Sequence, residues 1–341
     1  MQQKNIVSLE YLDDNDRLAD LINGFLFRGK EVVHEQDILE LDTGIRKIIR
    51  RFGQLQTQAA DRDLLRKVIL GTVYLIVGIE HQSAIDFTMP LRVMGYDVGT
   101  YEKQLRKLKK MHRKNKDLSS SDFIAGMSKS DKLIPVCTIV LYFGAEEWSG
   151  PQDLHGLLNF SGALASLKNV IPNYKINILD VRRFPHWQSF RSDLRQVFGY
   201  LQHLSNAKEI RSYVNEHKTE YNNISEDAYD LISSVTNAGV LAKLKEKYQD
   251  KKGDIDMCKA LDEWAQMERH EGKIEGRIEG KLESTISIIC KKSDQGLSVN
   301  AISYWLELDC SFVEKIEDLH KKHPKYNEEK LAQTYLKLEN K

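Results

Sequence analysis

Asp63 and Glu80 are the residues of this chain whose types and spacing most directly suggest chemistry. Two carboxylates held face to face, roughly 5 Å apart, repel unless a cation sits between them, so such a pair is the core of a divalent-metal site. The intervening sequence supports the pairing. Asp63-Leu-Leu-Arg-Lys-Val-Ile-Leu70 reads as one strand, Val73-Tyr-Leu-Ile-Val-Gly-Ile-Glu80 as the next, and Gly71-Thr72 suits a two-residue II′ turn between them. In that register Leu70 pairs with Val73 and Asp63 falls opposite Glu80. The strand period of two then places Glu80 and Gln82 on one face and Leu75, Val77, Ile79 and His81 on the other, one face chemical and one core. The plainer alternative is that both acids only mark where buried strands surface into water.

A second group of residues bears on what such a site would act upon. The stretch Tyr101-Glu-Lys-Gln-Leu-Arg-Lys-Leu-Lys-Lys-Met-His-Arg-Lys-Asn-Lys116 carries Lys103, Arg106, Lys107, Lys109, Lys110, Arg113, Lys114 and Lys116 against the single acid Glu102. Runs of this kind are commonly solvated helix faces. Here the run follows the helix that leaves the carboxylate pair, where it could track the phosphates of DNA.

The elements that must position these residues can be read from periodicity. A helix is expected over 15–28, with Leu18, Leu21, Ile22, Phe25 and Leu26 on one stripe and Gly29 as its stop. A short strand at Glu31-Val-Val33 and a polar, helical stretch over 37–52 are expected before the hairpin. A long helix over 87–116 follows, entered at Pro90, which is tolerated in a first turn. Strands are expected over 134–143 and 174–181. This order implies an α/β fold, a mixed sheet flanked by helices, followed by an all-helical C-terminal region. The boundaries suggested are a core over 10–185, a helical region over 186–282 and a small helical module over 283–341.

Within the helical region, Glu271-Gly-Lys-Ile-Glu-Gly-Arg-Ile-Glu-Gly-Lys281 repeats every four residues. Each glycine costs a helix about 1 kcal/mol against alanine, so helix stability is not what the repeat serves. Two readings stand: a stem for homo-oligomer formation, with glycines permitting close helix approach, or a solvated connector. Two short amphipathic helices over 298–306 and 310–321 form either a helix-turn-helix or a simple packing unit.

Composition sets limits. The 341 residues include 50 Lys and Arg and 50 Asp and Glu, so no overall field draws the chain to nucleic acid and any such binding is local. No run approaches the ~20 apolar residues of a membrane span, and a cytoplasmic protein with no membrane partner is expected. Cys137, Cys258, Cys290 and Cys310 form no CxxC pair and read as reduced thiols. The pair His320 and His323 lies in a Lys-rich polar stretch and is assigned no metal. No GxxxxGKS or GxGxxG loop occurs, so no nucleotide cofactor is expected, and no GxSxG elbow occurs either.

Taken together, Arg62-Asp63, Ile79-Glu80-His81-Gln82-Ser83 and Met89-Pro90-Leu-Arg92-Val-Met-Gly-Tyr96-Asp97 resemble the recombination-promoting nuclease (Rpn) and transposase-like family of the PD-(D/E)XK superfamily. Ala19-Asp20-Leu-Ile-Asn23, the run from Pro135 to Gly144 with Glu147-Trp148, Ile176-Asn177-Ile-Leu-Asp180 and the Glu-Gly-Lys/Arg tail extend the likeness across residues 10–282. The resemblance implies a PD-(D/E)XK core in which Asp63 and Glu80 bind Mg²⁺ or another divalent cation. It further implies the main-chain carbonyl of His81 as a third ligand and Asp20 as the candidate extra acid of the first helix. One position departs from the superfamily pattern: its usual Lys is Gln82 here. A Gln amide can hydrogen-bond an attacking water but brings no charge, and Arg92 in the next helix is the candidate substitute. The function implied is a metal-dependent DNA endonuclease of little base specificity, promoting recombination or acting on mobile DNA. A non-catalytic DNA-binding or assembly protein that keeps the fold is the second reading.

Overall fold

The hairpin folds in the register that its sequence predicts. In the computed structural model, β4 (Leu64–Leu70) and β5 (Val73–Gln82) pair antiparallel from Leu64 with Ile79 to Leu70 with Val73. Gly71 turns the chain with φ of 62°, a conformation that side-chain-bearing residues adopt at a cost. One further step of the register brings Asp63 opposite Glu80. The structure describes residues 2–41, 44–51, 54–61, 63–118, 122, 126–204, 206–236 and 238–339.

The hairpin lies inside a five-stranded mixed sheet of order β1-β4-β5-β6-β7. Here β1 is Ile38–Glu40, β6 is Val136–Tyr142 and β7 is Asn177–Asp180. β5 runs parallel to β6 and β6 parallel to β7, while β1 closes the other edge antiparallel to β4. Central position explains the burial of β5. From Ile76 to His81 every residue is buried, because helices cover both faces of the sheet. On one side stands α3 (Met89–Asn115), whose Met89 and Val93 pack with Val140, Tyr142, Trp148 and Ile176. On the other, α1 (Gln2–Leu12) lies against β5. The face expected to be chemical is therefore as dry as the core face, and Glu80 is only 2% exposed.

The expected first helix appears as α2 (Asn15–Phe25), capped by the Asp14 carboxylate, which accepts from Arg17 N–H at 3.0 Å. It ends before 28. Arg28 and Gly29 both turn left-handed, and Gly29 N–H returns to the Asn23 carbonyl at 2.9 Å. The expected strand at 31–33 is instead extended chain that the Asn23 side chain clasps, accepting from Val32 and Val33 N–H and donating to the Val33 carbonyl. The helix expected over 37–52 is also corrected. Within that stretch the described residues form β1 and then β2 (Gly44–Arg51), which pairs antiparallel with β3 (Gln54–Asp61) as a separate two-stranded ribbon and lies against α3, while residues 42, 43 and 52 lie outside the described residues. Ile45, Ile48 and Ile49 fit a helical stripe, but they are β-branched, and pairing with a second strand decides the outcome.

After β7 the chain is helical: α4 (Leu194–Gln202), α5 (Ala207–Glu216), α6 (Glu226–Thr236) and α7 (Gly239–Tyr248). α6 packs against α1 and α4, within a compact unit of residues Met1–Asp262. A second unit comprises Glu263–Lys341. Its core gathers Ile286, Ile289, Ile302, Val313, Ile316 and Leu331 from α8 (Met257–Asp294), α9 (Val299–Leu306), α10 (Cys310–Lys322) and α11 (Glu328–Glu339). The glycine repeat is helical throughout, as part of α8. The four cysteines are unbridged, and no described helix is long and apolar enough to cross a membrane.

Candidate active site at the end of the hairpin

Asp63 precedes the first residue of β4, and its carboxylate reaches across the hairpin to accept the main-chain N–H of His81 at 2.7 Å. Burial raises its pKa above the ordinary carboxylate value, against the opposing pull of that N–H and of the Arg92 charge. Glu80, on the same strand end, projects toward α3, where its Oε1 accepts from Arg92 Nη2. Arg92 is the hub of the cluster. Its Nη1 donates to Asp86 Oδ2 at 2.8 Å and its Nη2 also meets the Tyr96 hydroxyl at 3.3 Å. Burial works against the guanidinium charge, yet hydrogen bonds to Asp86 and Tyr96 and the charge of Glu80 outweigh it and hold Arg92 firmly protonated. Asp86 resists burial in turn, its carboxyl held below the usual range by Arg92 and by Thr88, which donates N–H at 2.8 Å and Oγ1–H at 2.7 Å.

His81 points the opposite way. Its ring is buried, bonded at Nδ1 to Ser8 Oγ of α1 and stacked on Phe143 at 4.7 Å between centroids. The imidazole thus fastens the strand end and is not a candidate ligand, which leaves its main-chain carbonyl for that part. Gln82 is half-buried at the end of β5, where its carbonyl accepts Phe143 N–H at 2.8 Å. Among the described residues none bonds the Gln82 side-chain amide.

The donors fit a hard divalent cation. Mg²⁺ keeps several waters and takes one or two carboxylates, so Asp63, Glu80 and a carbonyl are enough. Among the described residues no three His, Cys, Asp or Glu side chains converge, so the set stops at two carboxylates. The raised pKa of Asp63 agrees with a carboxylate that lacks full compensation for its burial. What competes is Arg92, already bonded to one of the two candidate ligands.

Among the described residues no bond brings Asp20 to this cluster. Its Oδ2 accepts from Arg191 N–H and Ser192 N–H, each at 2.8 Å, and from Ser192 Oγ–H at 2.7 Å, tying α2 to the segment that leads into α4. That is a structural clasp. Of the basic run, Arg106, Lys107, Lys110, Arg113, Lys114 and Lys116 are exposed on α3 and its C-cap, while Lys103 and Lys109 are half-buried. His112, buried within the run, is held at Nδ1 by Asp117 at 2.6 Å and at Nε2 by Asp131 at 2.8 Å. Sequence reasoning passed over Asp86, and its signal was modest: an acid just ahead of a Pro-entered helix, six residues before an arginine.

A family model described as "Putative transposase, YhgA-like" matches residues 52–230, more than half of the chain. The chain belongs to this YhgA-like family. The YhgA-like match begins directly after β2 and ends within α6, so it takes in Asp63, Glu80, Gln82, Asp86, Arg92 and the whole basic run. Asp20 and the second unit lie outside it. No curated protein and no solved structure gave a significant match.

Proposed function

We propose that this YhgA-like protein hydrolyses DNA phosphodiester bonds with the help of Mg²⁺ or another divalent cation. The observation that carries the reading is the placement of Asp63 and Glu80 at one hairpin end, with the Arg92 guanidinium beside them. Asp63, Glu80 and the His81 carbonyl would hold the cation. Once bound, the cation would lower the pKa of a water and offset charge developing on the phosphate. The Gln82 amide, on the Glu80 face of β5 and uncommitted among the described residues, would orient the attacking water. Arg92 supplies the fixed positive charge that Gln82 does not, and its planar fork suits a phosphate.

The exposed lysines and arginines of α3 would hold backbone phosphates, with little base specificity and strong dependence on salt. Family membership supports action on recombining or mobile DNA as the setting. The test is nicking of supercoiled plasmid by the purified protein with Mg²⁺ or with EDTA, beside Asp63→Asn and Glu80→Gln. Mg²⁺-dependent nicking that both variants lose is expected. Equal residual nicking by all three proteins would sink the hydrolase reading and leave a DNA-binding or assembly role, which a gel shift would then examine.

A further inference from the structure

The hub position of Arg92 has a chemical consequence for the proposed metal site. Glu80 is almost wholly buried and gives Oε1 to Arg92, so a divalent cation that takes Glu80 must compete with a guanidinium for the same carboxylate. A buried carboxylate cannot be left with its charge uncompensated. Arg92, however, does not depend on Glu80. Asp86 holds its other edge at 2.8 Å, and Asp86 is itself fixed by two hydrogen bonds from Thr88 at the start of α3. The arginine side chain is 38% exposed and Asp86 is 26% exposed, so this half of the bridge faces the mouth of the site and the Glu80 half faces its floor.

We propose that Arg92 is an exchangeable counter-ion. It holds Glu80 ready, yields that carboxylate to an arriving divalent cation, stays on Asp86, and presents the released N–H edge to the scissile phosphate. Asp86 is then a positioning residue: it keeps the guanidinium within reach after Glu80 changes partner. The exchange keeps Glu80 compensated throughout, the divalent cation bringing one positive charge more than the guanidinium it displaces, and it moves a positive group toward the substrate in the same step. This inference rests on the hydrolase reading above and adds to it a residue, Asp86, and an order of events.

The test reads ion binding and geometry apart from cleavage. Mg²⁺ affinity measured by calorimetry should rise about tenfold in Arg92→Gln, because a charge close to the ligand no longer competes. It should fall in Asp86→Asn, where Arg92 has lost its second anchor and stays on Glu80. Arg92→Lys keeps the charge but not the two-edged fork; it should bind Mg²⁺ much as the wild type does and lose most of the nicking activity. Thermal melts of each variant verify that it is folded. Charge alone could produce the affinity trends, so the geometry is read from crystals of the wild type grown with Ca²⁺. Ca²⁺ on Asp63 and Glu80, with Arg92 still on Asp86 and parted from Glu80, is the expected result. Arg92 remaining on Glu80 beside bound Ca²⁺ overturns the exchange, as does unchanged or weaker Mg²⁺ affinity in Arg92→Gln. Wild-type protein that binds neither ion overturns the hydrolase reading itself, a failure distinct from the other two.

Discussion

Asp63 can be replaced in two ways that separate its structural from its chemical part. Its Oδ2 accepts the His81 N–H at 2.7 Å, and His81 is buried, so Asp63→Ala leaves that donor without its acceptor. An orphaned buried donor costs roughly 1–3 kcal/mol. For a unit of this size each kcal/mol moves the melting temperature by about 2–4 °C, so Asp63→Ala should melt about 2–12 °C below the wild type. Asp63→Asn keeps a carbonyl oxygen for the same N–H and removes a charge that burial disfavours. Because the folded-state pKa of Asp63 is raised, its destabilising contribution is absent below the ordinary carboxylate range and fully present above the folded pKa. At neutral pH, then, Asp63→Asn should equal or exceed the wild type in stability, and that advantage should shrink on acidification through the folded pKa. Both variants should lose nicking. Scanning calorimetry at pH 7 and pH 4 with plasmid nicking covers all three expectations. Asp63→Asn melting as low as Asp63→Ala would mean that the charge itself is structural, and nicking retained by Asp63→Asn would remove Asp63 from the ligand set.

Four other outcomes are expected. Changing Lys107, Lys110 and Lys114 to Gln should weaken DNA binding in EDTA and reduce the slope of log affinity against log salt by up to about 3, one per lost phosphate contact, as read by fluorescence anisotropy. Gln82→Ala should slow nicking while leaving Mg²⁺ affinity nearly intact; a matching loss of affinity would place Gln82 among the ligands. Hydrogen bonds to Asp117 and Asp131 raise the pKa of His112, so the support it gives the end of α3 should be complete below the ordinary His value of ~6.5 and fade as pH rises through the folded pKa. Amide exchange over 112–117 at pH 6 and pH 9 would detect this, and equal protection at both would refute it. Finally, a Cβ on Gly272, Gly276 or Gly280 meets nothing within 4 Å, so alanine at each should stabilise α8 by about 0.5–1 kcal/mol in urea melts. If light scattering shows that the same changes abolish self-association, the repeat is a stem; if mass is unchanged, it is a connector.

The hairpin and its acids were legible because a period of two and one glycine turn define a register with no long-range information. The parity that separates Glu80 from His81 also survives in the fold, with Arg92 on one side and Ser8 on the other. Long-range decisions were harder. Asp20 has the look of a helix-face acid, and only a segment 171 residues away turns it into a clasp. Ile45 and Ile49 of β2 satisfy two periods at once, and the partner strand over 54–61 is too rich in Gln and Ala to announce itself. Helix α1 was missed because its few apolar residues carry meaning only against β5 and α6. The dryness around Glu80 could not be read either, since it follows from parallel pairing with β6, a strand more than fifty residues on.

Helix α3 is a single element of 27 residues that carries Arg92 near one end and Lys114 near the other. At 1.5 Å of rise per residue those two positions lie ~33 Å apart along the axis, close to one turn of duplex DNA. A rigid rod of that length works as a ruler. On the proposed hydrolase reading, a duplex cut beside Arg92 would have to extend about ten base pairs to reach Lys114, so substrate length, more than sequence, would set how firmly it is gripped.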